Sequence, residues 1–304
     1  MSTPPEQPTV AGPDHRSGYV AIIGRPNVGK STLLNQILGQ KVAIVTPKPQ
    51  TTRGKIVGIK TTPEAQIIFM DTPGLHDSPT LLNQRMKEAA EQALGDADIV
   101  LWVVDAERAL TGEDRRIAAR LSEQQRKVCV ALNKIDLRKR PELLPILAEI
   151  DALLPGRDVV PISAADGTNL PELVRQLVAL LPQGPRYYDE ETFTDQTERT
   201  LTQEIVREKV LLFTRHEVPY SVAVTVDVFE DKGDVAVIDA TIHVERESQK
   251  AIVIGAKGAR IKQIGTEARV ELEQVLGRRI FLRLFVRVQE RWTTNPARIK
   301  DFGL

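Results

Sequence analysis

The chain has 304 residues, with 41 basic and 41 acidic side chains and an ordinary apolar fraction of 41%. That is enough length for two domains, each burying its own core. With no apolar run near the ~18 residues of a membrane span, it reads as soluble or at most peripheral. The only cysteine, Cys129, lies in the run Val128-Cys129-Val130-Ala131-Leu132 and reads as a packed core thiol. A disulfide within one chain is impossible, which agrees with a reducing cytoplasm. His15, His76, His216 and His243 are far apart and show no metal-ligand spacing, so a zinc site has no support.

The first 17 residues are rich in Pro and small polar residues, with Arg16 as their only Lys or Arg. This is neither a signal nor a transit peptide, and a disordered tail over 1–17 is expected. Tyr19 to Ile23 then reads as a buried strand. It leads into Gly24-Arg25-Pro26-Asn27-Val28-Gly29-Lys30-Ser31, and Ser31-Thr32 opens a helix that stops at Gly39. Strand, glycine loop, helix is the context a phosphate-binding loop requires. Its backbone N–H groups and the helix N-terminus form a concave anion site. Lys30 would reach the β- and γ-phosphates, and the Ser31 hydroxyl would ligate Mg²⁺.

A polar, proline-broken loop follows, ending in Thr51-Thr52-Arg53. Ile56 to Ile59 and Ala65 to Met70 read as a hairpin, and the second strand runs directly into Asp71-Thr72-Pro73-Gly74. A carboxylate at such a strand end can hold Mg²⁺ through water, and the Gly74 N–H can touch a terminal phosphate. Strands at Ile99–Val104, Val128–Leu132 and Val159–Ile162 then alternate with helices at Glu113–Gln125, Pro141–Leu154 and Leu170–Leu181. This alternation predicts a doubly wound, mostly parallel sheet with right-handed crossovers. Asn133-Lys134-Ile135-Asp136 ends one of these strands. The Asp136 carboxylate can accept from guanine N1–H and its amine, a pair of donors that adenine lacks. Asn133 would brace the loop and the Lys134 stem would cover the base. Ser163-Ala164-Ala165, in this order, would set a backbone N–H against guanine O6.

The ordered set of five motifs resembles the translation-factor-type small GTPases over residues 18–182. The resemblance implies an α/β P-loop GTPase domain that binds GTP or GDP with Mg²⁺. Thr52 is then the switch threonine that joins the metal, with Thr51 as the alternative register. The position after Gly74 is Leu75, where Ras-like enzymes carry the glutamine that orients water, so slow intrinsic turnover is expected. Asn27 is a candidate to hold a K⁺ that stands in for an arginine finger, or else simply braces the loop.

Residues 183–199 read as an ordered linker able to pack through Tyr187 and Tyr188. A helix from Thr200 to Arg215 follows. Val222, Val224, Val226 and Val228 mark a half-buried strand that turns at Asp231–Asp234 into a partner strand. A short helix near Gln249, the loop Gly255-Ala256-Lys257-Gly258, a helix to about Leu276 and a strand from Ile280 to Val288 complete the chain. The order α-β-β-α-α-β, with Gly-x-x-Gly between the last two helices, is that of an α+β prokaryotic-type (type II) KH domain over 200–304. Lys257, Arg260 and Lys262 add charge beside glycines that let two backbones approach. From 249 to 304, twelve Lys and Arg stand against five acids, an excess of about seven in a neutral protein, so one basic face is expected.

A GTPase domain followed by a KH domain looks like the Era family over nearly the whole chain. The resemblance implies a GTP-switched factor that binds 16S ribosomal RNA near its 3′ end and assists 30S subunit assembly. It also implies a loose association with the inner membrane surface, for which the sequence offers no amphipathic anchor; a monomer is expected. A tRNA-modifying GTPase lacks support because no cofactor motif is present. A signalling GTPase whose KH domain contacts protein remains the other reading.

Overall fold

The computed structural model describes residues 14–48, 51–74, 81–123, 126–214, 218 and 221–303. Most of the expected tail, Leu75, and the ends of the helices expected to reach Gln125 and Arg215 lie outside the described residues. The described residues fall into two compact units. The first comprises 1–39, 56–71 and 92–195, and the second 40–55, 72–91 and 196–304.

The first unit holds β1 (Arg16–Ile23), α1 (Lys30–Leu38), β2 (Ile56–Thr61), β3 (Ala65–Asp71), β4 (Ile99–Asp105), α3 (Gly112–Ser122), β5 (Lys127–Asn133), α4 (Arg140–Leu153), β6 (Asp158–Pro161) and α5 (Leu170–Leu180). Its sheet runs β2-β3-β1-β4-β5-β6, parallel except for the β2–β3 pair. The apolar runs of β1, β3, β4 and β5 are buried throughout because helices cover both faces. Trp102, Val104, Val130 and Leu132 pack against Ile117, Leu121, Ile146 and Ile150 of α3 and α4. Cys129 is part of β5, and burial pushes its thiol up to about 12, as an inert core group.

The N-terminal boundary differs from the sequence expectation. Residues 14–17 are ordered: the Ser17 N–H donates to Pro182 O at 3.1 Å, and Arg16 donates to Leu181 O at 2.6 Å. The chain after α5 supplies partners for this backbone, a long-range pairing that local composition does not encode. In the same unit Tyr187 packs beside Tyr19, with ring centroids 5.5 Å apart, and Gln66 Oε1 accepts from the N–H groups of Tyr187 and Tyr188.

A helix, α2 (Leu81–Asp96), was not expected from the sequence, although Leu82, Met86, Ala90, Ala93 and Leu94 carry helical spacing. The division between units falls within it. The second unit continues with α6 (Glu198–Phe213), β7 (Ala223–Asp231), β8 (Val235–Val244), α7 (Glu247–Ile254), α8 (Ala259–Leu276), β9 (Arg279–Val288) and a short α9 (Pro296–Asp301). The sheet order is β7-β8-β9, with β8 and β9 parallel. Strand β7 departs from the alternation read in sequence. Asp227 is an extra residue between Val226 and Val228, so Phe229 takes the core face opposite Ile238 instead of Val228. The bulged Asp227 accepts from the hydroxyls of Thr225 and Thr241, which fixes the break in register. Among the described residues no helix is long and apolar enough to cross a membrane.

His243 on β8 stacks on Phe302 at 4.6 Å, and its Nε2 lies 2.9 Å from Thr225 Oγ1. Burial holds its pKa down to about 4, helped by Arg287 and Arg298 and opposed by Asp227. The unfolded chain binds this proton near pH ~6.5 and the folded chain does not. Stability is therefore lost as pH falls from about 6.5 to about 4. His243→Gln should lose less of its urea midpoint than the wild type between about pH 7 and about pH 4.5. Equal losses would remove His243 from the acid response.

Candidate functional site

The phosphate loop is shaped by backbone that only certain residues adopt. Gly24 and Gly29 have φ of 149° and 99°, and Asn27 sits at φ 61°. A Cβ on Gly24 would meet the Val103 carbonyl at 2.4 Å, and one on Gly29 would meet Asn133 Nδ2 at 2.3 Å. The glycines thus allow main chain and side chain from β4 and β5 to come against the loop. Arg25 Nε is bonded to the fully buried Asp114 of α3 at 2.7 Å, and Pro26 and Val28 complete the turn into α1. The Lys30 ammonium, only 7% exposed, donates to the carbonyls of Gly24 and Arg25 at 3.0 and 3.1 Å. Burial pushes its pKa down, against the pull of Asp71 and Glu113. A buried ammonium solvated mainly by carbonyls is poised for an anion. Next to it, Ser31 Oγ donates to Asp71 Oδ2 at 2.6 Å, and Thr32 follows in the first turn of α1.

Asn133, at the C-terminal end of β5, joins three loops. Its Nδ2 donates to Val28 O at 2.8 Å, and its Oδ1 accepts from the Ala164 N–H at 2.9 Å. Lys134 takes a left-handed φ of 68° and pairs with Asp105 at 2.6 Å, a residue opposite Asn133 in the sheet register. Asp136 stands exposed on the short turn Ile135–Leu137. Ser163 and Ala164 are buried and Ala165 is exposed, at the end of β6. The structure therefore gathers Gly24–Thr32, Asp71, Asn133, Lys134, Asp136 and Ser163–Ala165 at the C-terminal edge of one sheet, where open α/β sheets bind ligands.

Thr52 and Gly74 belong to the second unit. Thr52 is 7% exposed. The neighbouring Thr51 hydroxyl donates to Lys48 O at 2.7 Å and shares a 2.6 Å hydrogen bond with Thr46, so its oxygen is committed within its own loop.

The Gly-x-x-Gly loop leads from α7 into α8. Gly255, Lys257 and Gly258 have φ of 72°, 49° and 77°. A Cβ on Gly255 would meet Arg260 Cβ at 2.7 Å, so this glycine serves a close approach of the loop to α8. Arg260 donates back to the Ile252 carbonyl, which caps the end of α7. Ala256, Lys257 and Lys262 are solvent-facing, and among the described residues neither lysine forms an ion pair. Part of the excess over 249–304 is met by acids outside that segment, because Arg278 and Arg283 pair with Asp231 and Asp239.

Sequence reasoning missed Asp105, Asp114, Arg207 and Glu208; their roles depend on pairings between distant elements, and no local motif marks them. Asn133→Ala strands a buried carbonyl and a buried N–H, at about 1–3 kcal/mol each. GDP affinity, read by equilibrium titration, should fall about tenfold to hundredfold; unchanged affinity would show that the loops hold their shape without it.

Residues 19–134 match the family described as 50S ribosome-binding GTPase, and residues 217–293 match the KH domain. GTPase Era of Syntrophus aciditrophicus is 50% identical over 290 residues, covering 95% of each chain. GTPase Era of Lacticaseibacillus paracasei is 47% identical, covering 95% of this chain and 97% of the relative. Two solved structures superpose with a TM-score of 0.92 at 43% identity, covering 95% of this chain and 99% of theirs. One is a point variant of Aquifex aeolicus Era bound to GDP and AlF4−, the other Era in complex with MgGDPNP and nucleotides 1506–1542 of 16S ribosomal RNA. A P-loop GTPase fold and a KH fold in one chain, with relatives this similar over 95% of it, identify the chain as a member of the Era family of GTPases.

Proposed function

We propose that this GTPase uses its nucleotide state to control binding of single-stranded RNA at the 3′ end of 16S ribosomal RNA, and thereby assists 30S subunit assembly. The observation that carries the reading is the Gly-x-x-Gly loop, where Lys257 and Lys262 face solvent at the start of α8 and form no ion pair among the described residues. Helix-start N–H groups and two lysines suit a phosphodiester backbone. The related Era structure that holds MgGDPNP together with 16S ribosomal RNA nucleotides supports the same pairing of functions.

On this reading the functional division is a G domain over 18–182, a linker over 183–199 and a KH domain over 200–304. Gly24–Thr32 cradle the phosphates, with Lys30 on the β- and γ-phosphates. Asp136 selects guanine, while Asn133, Lys134 and Ser163–Ala165 shape its pocket. The adjacent hydroxyl of Ser31 and carboxylate of Asp71 are hard oxygen donors of the kind Mg²⁺ takes. Thr52 joins them in the GTP state. When bound, the ion neutralises charge developing on the phosphate oxygens. Gly74 offers its N–H to the γ-phosphate, and the engagement of Thr52 and Gly74 with the nucleotide is the change passed to the KH domain. Asn27, held in left-handed backbone, is the residue we assign to K⁺. The protein acts as a monomer in the cytoplasm, with peripheral association at the inner membrane surface.

Lys257→Glu with Lys262→Glu, in the full chain, should weaken binding of a 16S 3′-end oligonucleotide by about tenfold or more. GDP affinity should be unchanged. RNA affinity equal to the wild type would overturn the groove assignment.

A further inference from the structure

Within the second unit, residues 41–48 and 51–53 are bonded to α6 and its neighbours through backbone and side chains. The Val45 N–H donates to Glu208 Oε1 at 2.7 Å, and Gln196 donates to Val42 O at 2.9 Å. Lys48 Nζ donates to Thr214 O, and Lys41 bridges Glu208 of α6 and Glu271 of α8. Two bonds bracket Thr52. Arg207 Nη2 donates to the Thr51 carbonyl at 2.6 Å, and Arg53 Nη1 donates to the Val222 carbonyl at 2.6 Å. The Arg53 guanidinium also lies over the Trp292 ring, 5.7 Å from its centroid. Arg207, Glu208 and Arg53 are 3%, 2% and 5% exposed.

Removing a charged side chain from water is costly unless its bonds are well made. Here Arg207, paired with Glu204 on its own helix, and Glu208, paired with Lys209, each spend a further bond on this loop, and Arg53 spends one from it. Thr52 cannot turn its backbone without breaking a buried charge-assisted bond on one side or the other. Arg207 reaches it from a helix that packs on α8, the helix that the Gly-x-x-Gly loop begins.

We propose that Arg207 and Arg53 are positioning residues for GTP hydrolysis, setting the conformation of Thr52 from the RNA-binding unit. The inference rests on the reading of Thr52 as the switch threonine. Neither arginine touches nucleotide in this account; they fix the segment that does.

The test uses the full chain with Thr52→Ala, Arg207→Gln and the double variant. Amide hydrogen exchange of residues 45–53 is measured without nucleotide, alongside single-turnover GTP hydrolysis and GDP affinity. Arg207→Gln should speed exchange of this segment about tenfold, slow hydrolysis about tenfold and leave GDP affinity within about twofold. The double variant should hydrolyse GTP no more slowly than Thr52→Ala, because both act through one residue. Should Arg207→Gln fail to fold, Lys48→Met removes a more peripheral anchor and should give the same pattern in smaller measure. Normal hydrolysis in Arg207→Gln and Lys48→Met, with slow hydrolysis in Thr52→Ala, overturns the positioning role while leaving the Thr52 reading intact. Normal hydrolysis in Thr52→Ala refutes that reading and the proposal with it.

Discussion

The nucleotide site depends on one carboxamide. Asn133 ends a buried strand, holds the phosphate loop through Val28 and holds the loop after β6 through Ala164. Its amide occupies the volume where Gly29 has no side chain, so loop and strand end share one packing solution. Both partners are main-chain groups, and the geometry follows from backbone that the sheet already orders. A change there is felt along the whole loop, including at Lys30, whose buried ammonium donates to two of the loop's carbonyls. The site is preorganised for phosphate in the sense that its charge is desolvated before the ligand arrives.

The second unit answers the same physical demand differently. Its core is a three-stranded sheet under α6, α7 and α8, yet its most buried charges face residues 40–55 instead of completing that core. Buried ionic groups often contribute specificity of conformation more than stability. In a switch protein that is the useful property, since a loop with two discrete arrangements transmits more than one that deforms gradually. The Trp292 ring, buried among Leu82, Met86, Ala223 and Ile299, draws residues of α2 into the same unit.

Much of this was legible in the sequence, because the phosphate loop, Asp71, the Asn133–Asp136 turn and the Gly-x-x-Gly loop are local motifs whose chemistry depends on a few adjacent residues. The parallel sheet also followed from uninterrupted apolar strands. What was not legible depends on register and distance. The pairing of Lys134 with Asp105 needs β4 beside β5, the ordering of Arg16 and Ser17 needs the chain after α5, and the Asp227 bulge breaks a valine alternation that looked continuous. Arg260 reads as an RNA contact by spacing, yet its guanidinium is drawn to a carbonyl of α7. The helix α2 carried its own signal in Leu82, Met86 and Ala90, masked by the polar residues between them.

The central claim is that nucleotide state and RNA binding are one equilibrium. Its most direct measurement is the affinity for a single-stranded 16S 3′-end oligonucleotide with GDP and with a non-hydrolysable GTP analogue, over a salt series. The account predicts tighter binding with the analogue, falling steeply as salt rises. Equal affinity with both nucleotides would mean two independent modules on one chain and would contradict it.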